Sequence, residues 1–396
     1  MPSPDRSARP HAVVLFGATG FTGRLTAERL AARCVEEGLT WAVAGRSEEK
    51  LLDLRNRLVS RHPEAQIRTV VADVQDPDSL LRMAEGARAV ATTVGPYAEY
   101  GESVARACLA GGAHYCDLTG EPAFWKHLIG HYHADAERAG VLLVPACGFD
   151  SIPADLGTFF LLDHLDPQPG EAVRVEAFVK GKGNVSGGTW HSLLGALGDA
   201  GSMRGGPQTG RGRVTTQMVP RFDAGQGRWV VPMPVLDPLV VRRSALTTTD
   251  GQPRYGDDFG YGQYLQVGSA AQALLLTLGG AAVIALAQLG PTRQLLGKVK
   301  PRGEGPTDEE IATGFFQVTV RGRAGSRHAT ATVTGGDPGY GETSKMLAEA
   351  ALCLAQDGDR LPHRGGVLTT ASALGRPFVG RLQAQGIQFE VTSPAS

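Results

Sequence analysis

Three glycines at intervals of three residues stand where an apolar run passes into a helix-like stretch. Gly17, Gly20 and Gly23 lie in GATGFTG, between HAVVLF and RLTAERLAARCVEE. The N-terminus of a helix carries unpaired N–H groups and partial positive charge, so it stabilises a phosphate that the backbone can approach closely. We expect Gly17 to make the turn, Gly20 to admit a diphosphate and Gly23 to let the helix pack on the strand. The predicted dinucleotide-binding turn comprises Gly17, Thr19, Gly20, Phe21, Thr22 and Gly23.

The residues after the second apolar run distinguish the two nicotinamide dinucleotides. An NAD-binding protein usually ends this strand with Asp or Glu, which binds the ribose 2′-hydroxyl, whereas here TWAVAG is followed by Arg46 and Ser47. A guanidinium can hold a 2′-phosphate through charge-assisted hydrogen bonds, and Ser47 can add a hydroxyl while capping the next helix. The pattern therefore predicts NADP(H). The alternative is that Arg46 is a solvated loop charge.

The ends of the third and fourth apolar runs supply the other predicted cofactor contacts. Ligands of parallel α/β sheets bind outside the carboxyl ends of the strands. Asp73 and Val74 follow the third run, and we expect them to contact the adenine. Gly95, Pro96 and Tyr97 follow the fourth run, and we expect them near the nicotinamide.

A parallel sheet is needed to bring these residues together, and the first 150 residues carry its pattern. Helix-like stretches such as SEEKLLDLRNRLVSRH alternate with short apolar runs, namely HAVVLFG, TWAVAGR, IRTVVAD, AVATTVG, HYCDLTG and VLLVPAC. Strands this apolar are covered by helices on both faces. The fold class is therefore α/β, with a doubly wound Rossmann domain over 11–150. Residues 1–10 are polar and Pro-rich and are predicted to be a disordered tail.

Composition argues against several other classes. The chain has 396 residues and 42% hydrophobic content, enough for two domains with their own cores. A formal net charge of -1 gives no electrostatic case for nucleic acid. The five cysteines form no C-x-x-C pair and show no metal-ligand spacing, which indicates a reduced, cytoplasmic protein without a metal site.

Several stretches resemble the saccharopine dehydrogenase-like oxidoreductases. They are GATGFTGRLTAERL, AGRS, TTVGPYAEYGESVARACLAGGAHYCDLTGE and VPACGFDSIPADL. Later stretches, SGGTWHSLLGAL, IALAQLGPTRQLLGKVKPRGEGP and GGDPGYGETSKMLAEAALCLA, are similar more narrowly to the trans-acting enoyl reductases of actinobacterial polyketide and lipid biosynthesis. The resemblance covers most of the chain. It implies an NADPH-dependent reductase of an acyl or polyketide thioester, carried by a polyketide synthase or an acyl carrier protein.

The resemblance also implies that the chain leaves the nucleotide domain and returns to it. Residues 151–339 then form a mixed α/β substrate domain, and residues from about 340 to 396 complete the Rossmann domain. The sequence agrees with this path. The stretch SIPADLGTFFLLDHL is helix-like, VRVEAFVKG, FFQVTVRGRAG and RHATATVTGG are typical of antiparallel strands, and helical spacing resumes after Gly341.

Reduction of an enoyl thioester requires a hydride for the β-carbon, a donor to the enolate oxygen and a proton for the α-carbon. Tyr97 and Tyr100 follow the fourth apolar run, so they either donate hydroxyls there or pack against the cofactor. His191 lies in SGGTWHSLLGAL. An imidazole titrates near neutral pH, so His191 is a candidate acid, although a lone histidine is more often structural.

Residues 259–292 carry no charged side chain. The run AAQALLLTLGGAAVIALAQLG is long enough to cross a bilayer as a helix, and Arg293, Lys298, Lys300 and Arg302 follow it. Gly279 and Gly280 interrupt the run, and crossing would split the substrate domain. Three interpretations stay open, in which the segment lines an acyl tunnel, makes peripheral membrane contact, or spans the bilayer. An exposed apolar hairpin would also favour homo-oligomers.

Two other functions compete with enoyl reduction. One is a saccharopine-type oxidoreductase of an imine or amino-acid adduct, whose carboxylates would call for clustered arginines in the second domain. Residues 173–200 offer mostly Gly, Ser, Thr and apolar groups instead. The other is a regulator that senses NADP without chemistry. The expected location is cytoplasmic, with membrane association through the apolar segment.

Overall fold

The computed structural model describes residues 6–183, 213–233, 235–249, 252–253, 255–288, 290–298 and 306–392. Its strands are β1 (His11–Phe16), β2 (Thr40–Gly45), β3 (Gln66–Val71), β4 (Ala87–Thr92), β5 (His114–Asp117), β6 (Leu142–Val144), β7 (Ala172–Lys182), β8 (Arg213–Val214), β9 (Arg221–Asp223), β10 (Arg228–Pro232), β11 (Thr248–Thr249), β12 (Gln252–Pro253), β13 (Asp258–Val267), β14 (Phe315–Ala324), β15 (Arg327–Gly335), β16 (Gly366–Val367) and β17 (Gln388–Thr392).

The helices are α1 (Phe21–Glu36), α2 (Glu48–Arg61), α3 (Pro77–Glu85), α4 (Tyr97–Gly111), α5 (Pro122–Ala139), α6 (Ile152–Leu165), α7 (Asp237–Leu246), α8 (Ala270–Ala287), α9 (Gly290–Gly297), α10 (Asp308–Thr313), α11 (Gly341–Gln356), α12 (Thr370–Ala373) and α13 (Gly375–Ala384). The chain divides into two compact units. The described part of the first comprises residues 6–149 and 339–385, and the second contains the remaining described residues.

The first unit is a doubly wound parallel sheet, as the sequence predicted. Seven strands follow the order β16-β6-β5-β4-β1-β2-β3, and every neighbouring pair is parallel. The apolar runs became strands because both faces of the sheet are covered; Val13, Val14 and Leu15 of β1 have no exposed surface. The strand order reverses between β1 and β4, whose last residues, Phe16 and Thr92, lie side by side. A doubly wound sheet binds its ligands at this point.

Residues 6–10 are ordered, contrary to the prediction of a disordered tail over 1–10. The Arg6 guanidinium donates to the carbonyl oxygens of Gly112 and Gly140, at 2.7 Å each, and Arg9 donates to Gly111 at 2.7 Å. These carbonyls lie at the C-terminal ends of α4 and α5, where a helix leaves acceptors unpaired and carries partial negative charge. The two arginines therefore hold this segment against the domain.

The second unit contains a mixed sheet of order β17-β15-β14-β7-β13-β10-β9, with β8 beside β13. The three stretches predicted as antiparallel strands became β7, β14 and β15, and β14 pairs antiparallel with both of the others. Residues up to 396 were predicted to belong to the first domain. Residues 388–392 instead form β17, which pairs with β15, so the chain crosses back into the second unit after α13.

Candidate cofactor site

The glycine turn has the backbone geometry that its spacing predicts. Gly17 has a φ of +84°, a conformation that favours glycine, and its N–H donates to the carbonyl oxygen of Ala44 on β2 at 3.0 Å. The Gly20 N–H then donates to Gly17 at 3.0 Å, which closes the turn. A Cβ on Gly23 would overlap the Gly17 carbonyl oxygen and approach Ala18 Cα to 2.9 Å. The helix can therefore pack this closely only because residue 23 is glycine.

Gly20 differs from its neighbours in having an open side. A Cβ built there would have only the Gly17 carbonyl oxygen within 4 Å, at 3.3 Å, whereas a Cβ on Gly17 would meet Thr93 Oγ1 and Val94 Cγ2 at 2.8 Å. Gly17 and Gly23 are thus required by the protein's own packing. The open side of Gly20 leaves room for a ligand group to approach the backbone, which fits the predicted diphosphate position.

The N-terminus of α1 carries uncompensated positive charge. The first N–H groups of a helix have no acceptors within it, and Gly20, the N-cap, has no side chain to supply one. The first turn of α1, all of which is described, contains no acidic residue. The Arg24 guanidinium donates to the Thr19 carbonyl oxygen at 3.1 Å and adds a cation beside the turn. The residues present therefore fit an anionic diphosphate.

Phe21 contributes packing to the turn. Its ring meets Tyr340 edge-on, with 5.0 Å between the ring centroids. Tyr340 is the N-cap of α11 and is buried, so this contact joins the start of α1 to the returning helix of the same unit. Thr22 accepts a hydrogen bond from the Thr26 hydroxyl through its carbonyl oxygen. For Thr19, Phe21 and Thr22, direct contact with the cofactor stays a prediction.

At the tip of β2, Arg46 is exposed and forms no hydrogen bond or ion pair with any residue that the structure describes. Its guanidinium is therefore available for a 2′-phosphate. Ser47 caps α2, because its hydroxyl accepts a hydrogen bond from the Lys50 N–H at 3.4 Å. The capping half of the prediction for Ser47 is thus observed, and its contact with the phosphate stays a prediction.

At the tip of β3, Asp73 organises its own loop. Its Oδ1 accepts from the Gln75 N–H at 3.0 Å, and its N–H donates to Ser79 Oγ at 3.0 Å. Val74 is half-buried and packs against the core. Such a side-chain turn fixes the local backbone, so Asp73 and Val74 are held at the sheet edge where the adenine contact was predicted.

The structure favours packing over proton donation for Tyr97. The residue is only 6% exposed, and its ring stacks on Phe124 with 6.0 Å between centroids. Its hydroxyl donates to the Thr92 carbonyl oxygen at 3.3 Å and accepts from the Leu118 N–H at 3.2 Å. Burial, with the nearby Asp117 carboxylate, raises the pKa of Tyr97 well above its usual value. Tyr97 therefore shapes the turn at Gly95 and Pro96 from within the domain.

Tyr100 is half-buried in the first turn of α4, and its N–H donates to the Pro96 carbonyl oxygen at 3.0 Å. Tyr100 therefore stays a predicted hydrogen-bond donor.

His191 lies outside the described residues. Among the described residues, His, Cys, Asp and Glu side chains form no group of three or more that could hold a metal ion.

Glu121 is a site residue that the sequence analysis missed. It is 6% exposed, and its two carboxylate oxygens accept from the N–H groups of Tyr97 at 3.0 Å and Ala98 at 2.8 Å. These are the first two N–H groups of α4, so the carboxylate caps that helix from 23 or more residues away. The local signal was only an acid before Pro122, which resembles the start of α5.

Asp117, at the end of β5, organises the loops at the same edge of the sheet. It is fully buried and accepts hydrogen bonds from the Tyr115 hydroxyl at 2.6 Å, the Thr119 N–H at 2.9 Å and the Ala146 N–H at 2.8 Å. Burial raises the pKa of this carboxyl to about 6, and the three hydrogen bonds keep it from rising further. Asp117 therefore ties the loops after β5 and β6 together.

Comparison with known proteins agrees with this geometry. Residues 13–144, which span β1 to β6, match the saccharopine dehydrogenase NADP-binding domain. The fold and the turn thus define an NADP(H)-dependent oxidoreductase, and the predicted cofactor is confirmed. The chain is 35% identical to a Mycobacterium tuberculosis protein provisionally named a trans-acting enoyl reductase, over 97% of this chain and 98% of the relative. It is 31% identical to the Bos taurus saccharopine dehydrogenase-like oxidoreductase, with the same coverage.

The chain therefore belongs to the saccharopine dehydrogenase-like oxidoreductase family, as its motifs indicated. It is also 31% identical to the Caenorhabditis elegans lipid droplet localized protein, over 96% of this chain and 98% of the relative. Among solved structures, the apo saccharopine dehydrogenase (L-Glu forming) of Saccharomyces cerevisiae has a TM-score of 0.53 at 13% identity, covering 97% of this chain and 99% of that one. This last likeness concerns the fold alone.

Proposed function

We propose that this protein is an NADPH-dependent reductase of a carbon–carbon double bond in an acyl or polyketide thioester, a trans-acting enoyl reductase. The observation that carries the proposal is the 35% identity to the protein of that name, which extends through both units rather than the cofactor domain alone. The strongly apolar α8 in the second unit suits a lipid-like substrate.

The residues of the first unit have definite tasks in such a reaction. The backbone N–H groups of Phe21, Thr22 and Gly23 bind the diphosphate beside the open side of Gly20, and Arg46 selects the 2′-phosphate. Glu121 fixes the start of α4 and the turn before it, and this turn orients the nicotinamide end of the cofactor. When bound, NADPH supplies the hydride. Tyr100 and His191 are the proposed sources of the enolate hydrogen bond and the α-carbon proton.

A saccharopine-type reaction is the second candidate, because relatives of that name match equally well along the chain. Its substrates carry several carboxylates, which unpaired arginines would bind. Five of the seven arginines on the described strands of the second sheet are instead engaged with its own acids: Arg174 and Arg213 pair with Asp258, Arg221 and Arg321 with Glu176 and Asp223, and Arg327 with Glu171. This pairing favours the acyl substrate.

Turnover separates these candidates. NADPH consumption would be followed with enoyl-CoA thioesters, with carrier-bound enoyl thioesters, and with 2-oxo acid and amino-acid pairs of the saccharopine type. We expect oxidation of NADPH with the enoyl thioesters. Oxidation only with the oxo-acid pairs would establish the second candidate. Tight NADPH binding without turnover of any of them would establish the NADP-sensing regulator.

We also propose that a polyketide synthase or acyl carrier protein delivers the thioester, and that the protein works on the cytoplasmic side of a lipid surface. The name of the Caenorhabditis elegans relative and the apolar α8 support the second point. A carrier requirement would appear as a lower KM for carrier-bound than for CoA-bound substrate.

A homo-oligomer is proposed as well, and light scattering at several protein concentrations tests it.

A further inference from the structure

Most of the circumference of helix α8 is exposed. Leu274, Leu275 and Leu276 are 59%, 71% and 46% exposed. Consecutive residues of an α-helix point about 100° apart, so these three leucines span about 200° of the circumference. The remaining face carries the buried Ala273 and Ala287 and the half-buried Thr277 and Ile284. Only Ala273 and Ala287, near its two ends, are buried. The mean hydropathy of the helix is 2.0, so water is a poor solvent for its exposed surface.

The helix does not break at Gly279 and Gly280, where the sequence analysis placed an interruption. Both glycines lie inside α8, and a Cβ on either would meet nothing within 4 Å. The chain turns only after Ala287, where the Thr292 hydroxyl of α9 donates to the Leu286 carbonyl oxygen. The α8–α9 segment, residues 270–297, is thus an uninterrupted apolar helix followed by a short one.

The start of α8 is fixed to the second sheet. The Ser269 hydroxyl accepts from the Gln272 N–H at 3.2 Å, and the Gln272 side chain accepts from the Gly268 N–H at 2.8 Å. Ala273 packs with Val231 and Val267, so the first turn sits on the sheet.

The chain leaves and re-enters the sheet at the same end. Strands β13 and β14 flank β7, and both Leu265 of β13 and Val318 of β14 lie level with Val179. Because β13 runs parallel and β14 antiparallel to β7, the end of β13 and the start of β14 are neighbours, about 10 Å apart across two strand spacings. The α8–α9 segment is therefore an excursion that returns to its point of departure.

This return excludes a single membrane crossing. At 18 residues, α8 is about 27 Å long and could reach across a hydrocarbon core of about 30 Å, but α9, with 8 residues, is only about 12 Å long and could not cross back. Beyond α9 the sequence carries Lys298, Lys300 and Arg302, which are costly inside hydrocarbon. A single crossing would place β14 on the opposite side of the membrane from β13, although both pair with β7.

We propose that the α8–α9 segment inserts into one leaflet of a membrane, or into a lipid monolayer, without crossing it. The exposed leucines of α8 spread over about 200° of its circumference, which hydrocarbon can cover, whereas a groove on a protein partner covers a narrower apolar stripe. The cations Arg293, Lys298, Lys300 and Arg302 follow α8 in the sequence with no acid among them, which matches anionic lipid headgroups. Such one-sided insertion does not depend on the reaction proposed above.

Vesicle flotation of the full chain tests whether lipid covers the α8–α9 segment. Wild-type protein should float with vesicles of phosphatidylcholine and phosphatidylglycerol, and more weakly without the anionic lipid. The double variant Leu275→Glu, Leu278→Glu should show an at least about tenfold lower partition coefficient. Leu52→Glu, at an exposed leucine of α2, is the matched control and should float normally. Unchanged NADPH affinity would show that each variant is folded.

Failure of the wild type to float with either vesicle would overturn the proposal. A second result would also overturn it: the wild type forms an oligomer and does not bind vesicles, and the double variant is monomeric. A second copy of the chain would then cover α8. Neither result depends on turnover. Loss of enoyl reduction with normal flotation would count against the proposed function alone.

Labelling of introduced cysteines tests the topology. All five native cysteines are buried and free, so Gly268→Cys and Lys298→Cys add exposed thiols before α8 and after α9 to a chain whose own thiols are shielded. On sealed vesicles, an impermeant maleimide added outside should label both positions. A fluorophore on Gly279→Cys should be quenched by lipid-borne quenchers. If only one of the two introduced cysteines were protected from the maleimide, the segment would cross the membrane, and one-leaflet insertion would be refuted.

Discussion

The contrast between Gly20 and Gly23 gives a sharp test of the diphosphate site. A Cβ on Gly23 would overlap the Gly17 carbonyl oxygen and lie 2.9 Å from Ala18 Cα, so Gly23→Ala must push α1 away from the turn. Overpacking of this kind costs about 1–3 kcal/mol, offset by the about 0.5–1 kcal/mol that alanine adds in a helix. We expect Gly23→Ala to destabilise the protein by about 0.5–2 kcal/mol and to weaken NADPH binding.

Gly20→Ala should separate stability from binding. Its nearest neighbour would be the Gly17 carbonyl oxygen at 3.3 Å, and the Gly20 backbone, with φ -69° and ψ 171°, is accessible to alanine. The poorer N-cap and the smaller entropy of the unfolded chain oppose each other, so we expect a stability change within about 0.5 kcal/mol. A methyl group on the open side should nevertheless weaken NADPH binding by about 1–3 kcal/mol, roughly fivefold to 150-fold.

Urea unfolding and titration of NADPH fluorescence measure the two quantities independently. The reasoning is refuted if Gly20→Ala binds NADPH as the wild type does, because the open side of Gly20 would then face no ligand. It is also refuted if both variants lose stability and affinity in the same proportion, since a common distortion of the turn would explain that result.

Three further predictions concern charged groups. Arg46→Asp should weaken NADPH binding at least about tenfold and change NADH binding by less than about threefold; equal losses in the two titrations would remove the 2′-phosphate assignment. Glu121→Gln should lower the free energy of unfolding by about 2 kcal/mol because one of the two N–H groups loses its acceptor, whereas Glu99→Gln, at an exposed acid of the same first turn, should change it by less than about 0.5 kcal/mol. For Asp117, with its pKa raised from 3.8 to about 6, the folded protein binds more protons than the unfolded chain between these pH values. The stability advantage of wild type over Asp117→Asn should therefore fall by about 3 kcal/mol as pH rises from below 4 to 7, and an advantage that is constant or grows with pH would contradict the assignment.

The parts of the fold that the sequence predicts are those set by local pattern. Each apolar run of the first 150 residues became a strand because a doubly covered sheet needs continuous apolar segments, and the glycine spacing identified the tight turn at Gly17. The prediction that the residues of β17 belong to the first domain was wrong, because the pairing of strands depends on residues far apart in the sequence. The alternation of polar and apolar residues in Gln388–Thr392 is compatible with either sheet. Pairing with β15 places this strand in the second sheet.

Side-chain contacts across the chain account for the other differences. Arg6 and Arg9 sit in a polar, Pro-rich segment that resembles a tail by composition, and their acceptors at Gly111, Gly112 and Gly140 lie more than 100 residues away. Tyr97 follows β4 in the position of a donor, but its orientation depends on Leu118 and Phe124, which later elements supply. Composition and spacing carry no information about such pairings.

The contacts of Glu121 favour α1 over α4 as the predicted diphosphate site. Both helices begin at the point where the strand order reverses, and each would offer positive charge and free N–H groups to an anion. At α4 the Glu121 carboxylate already occupies the first two N–H groups, so a phosphate there would meet a buried negative charge. At α1 the described first turn holds no acid, and Arg24 adds a cation beside it. The protein thus neutralises one of two similar anion sites from within and leaves the other open, which predicts the direction in which a dinucleotide would lie across the sheet.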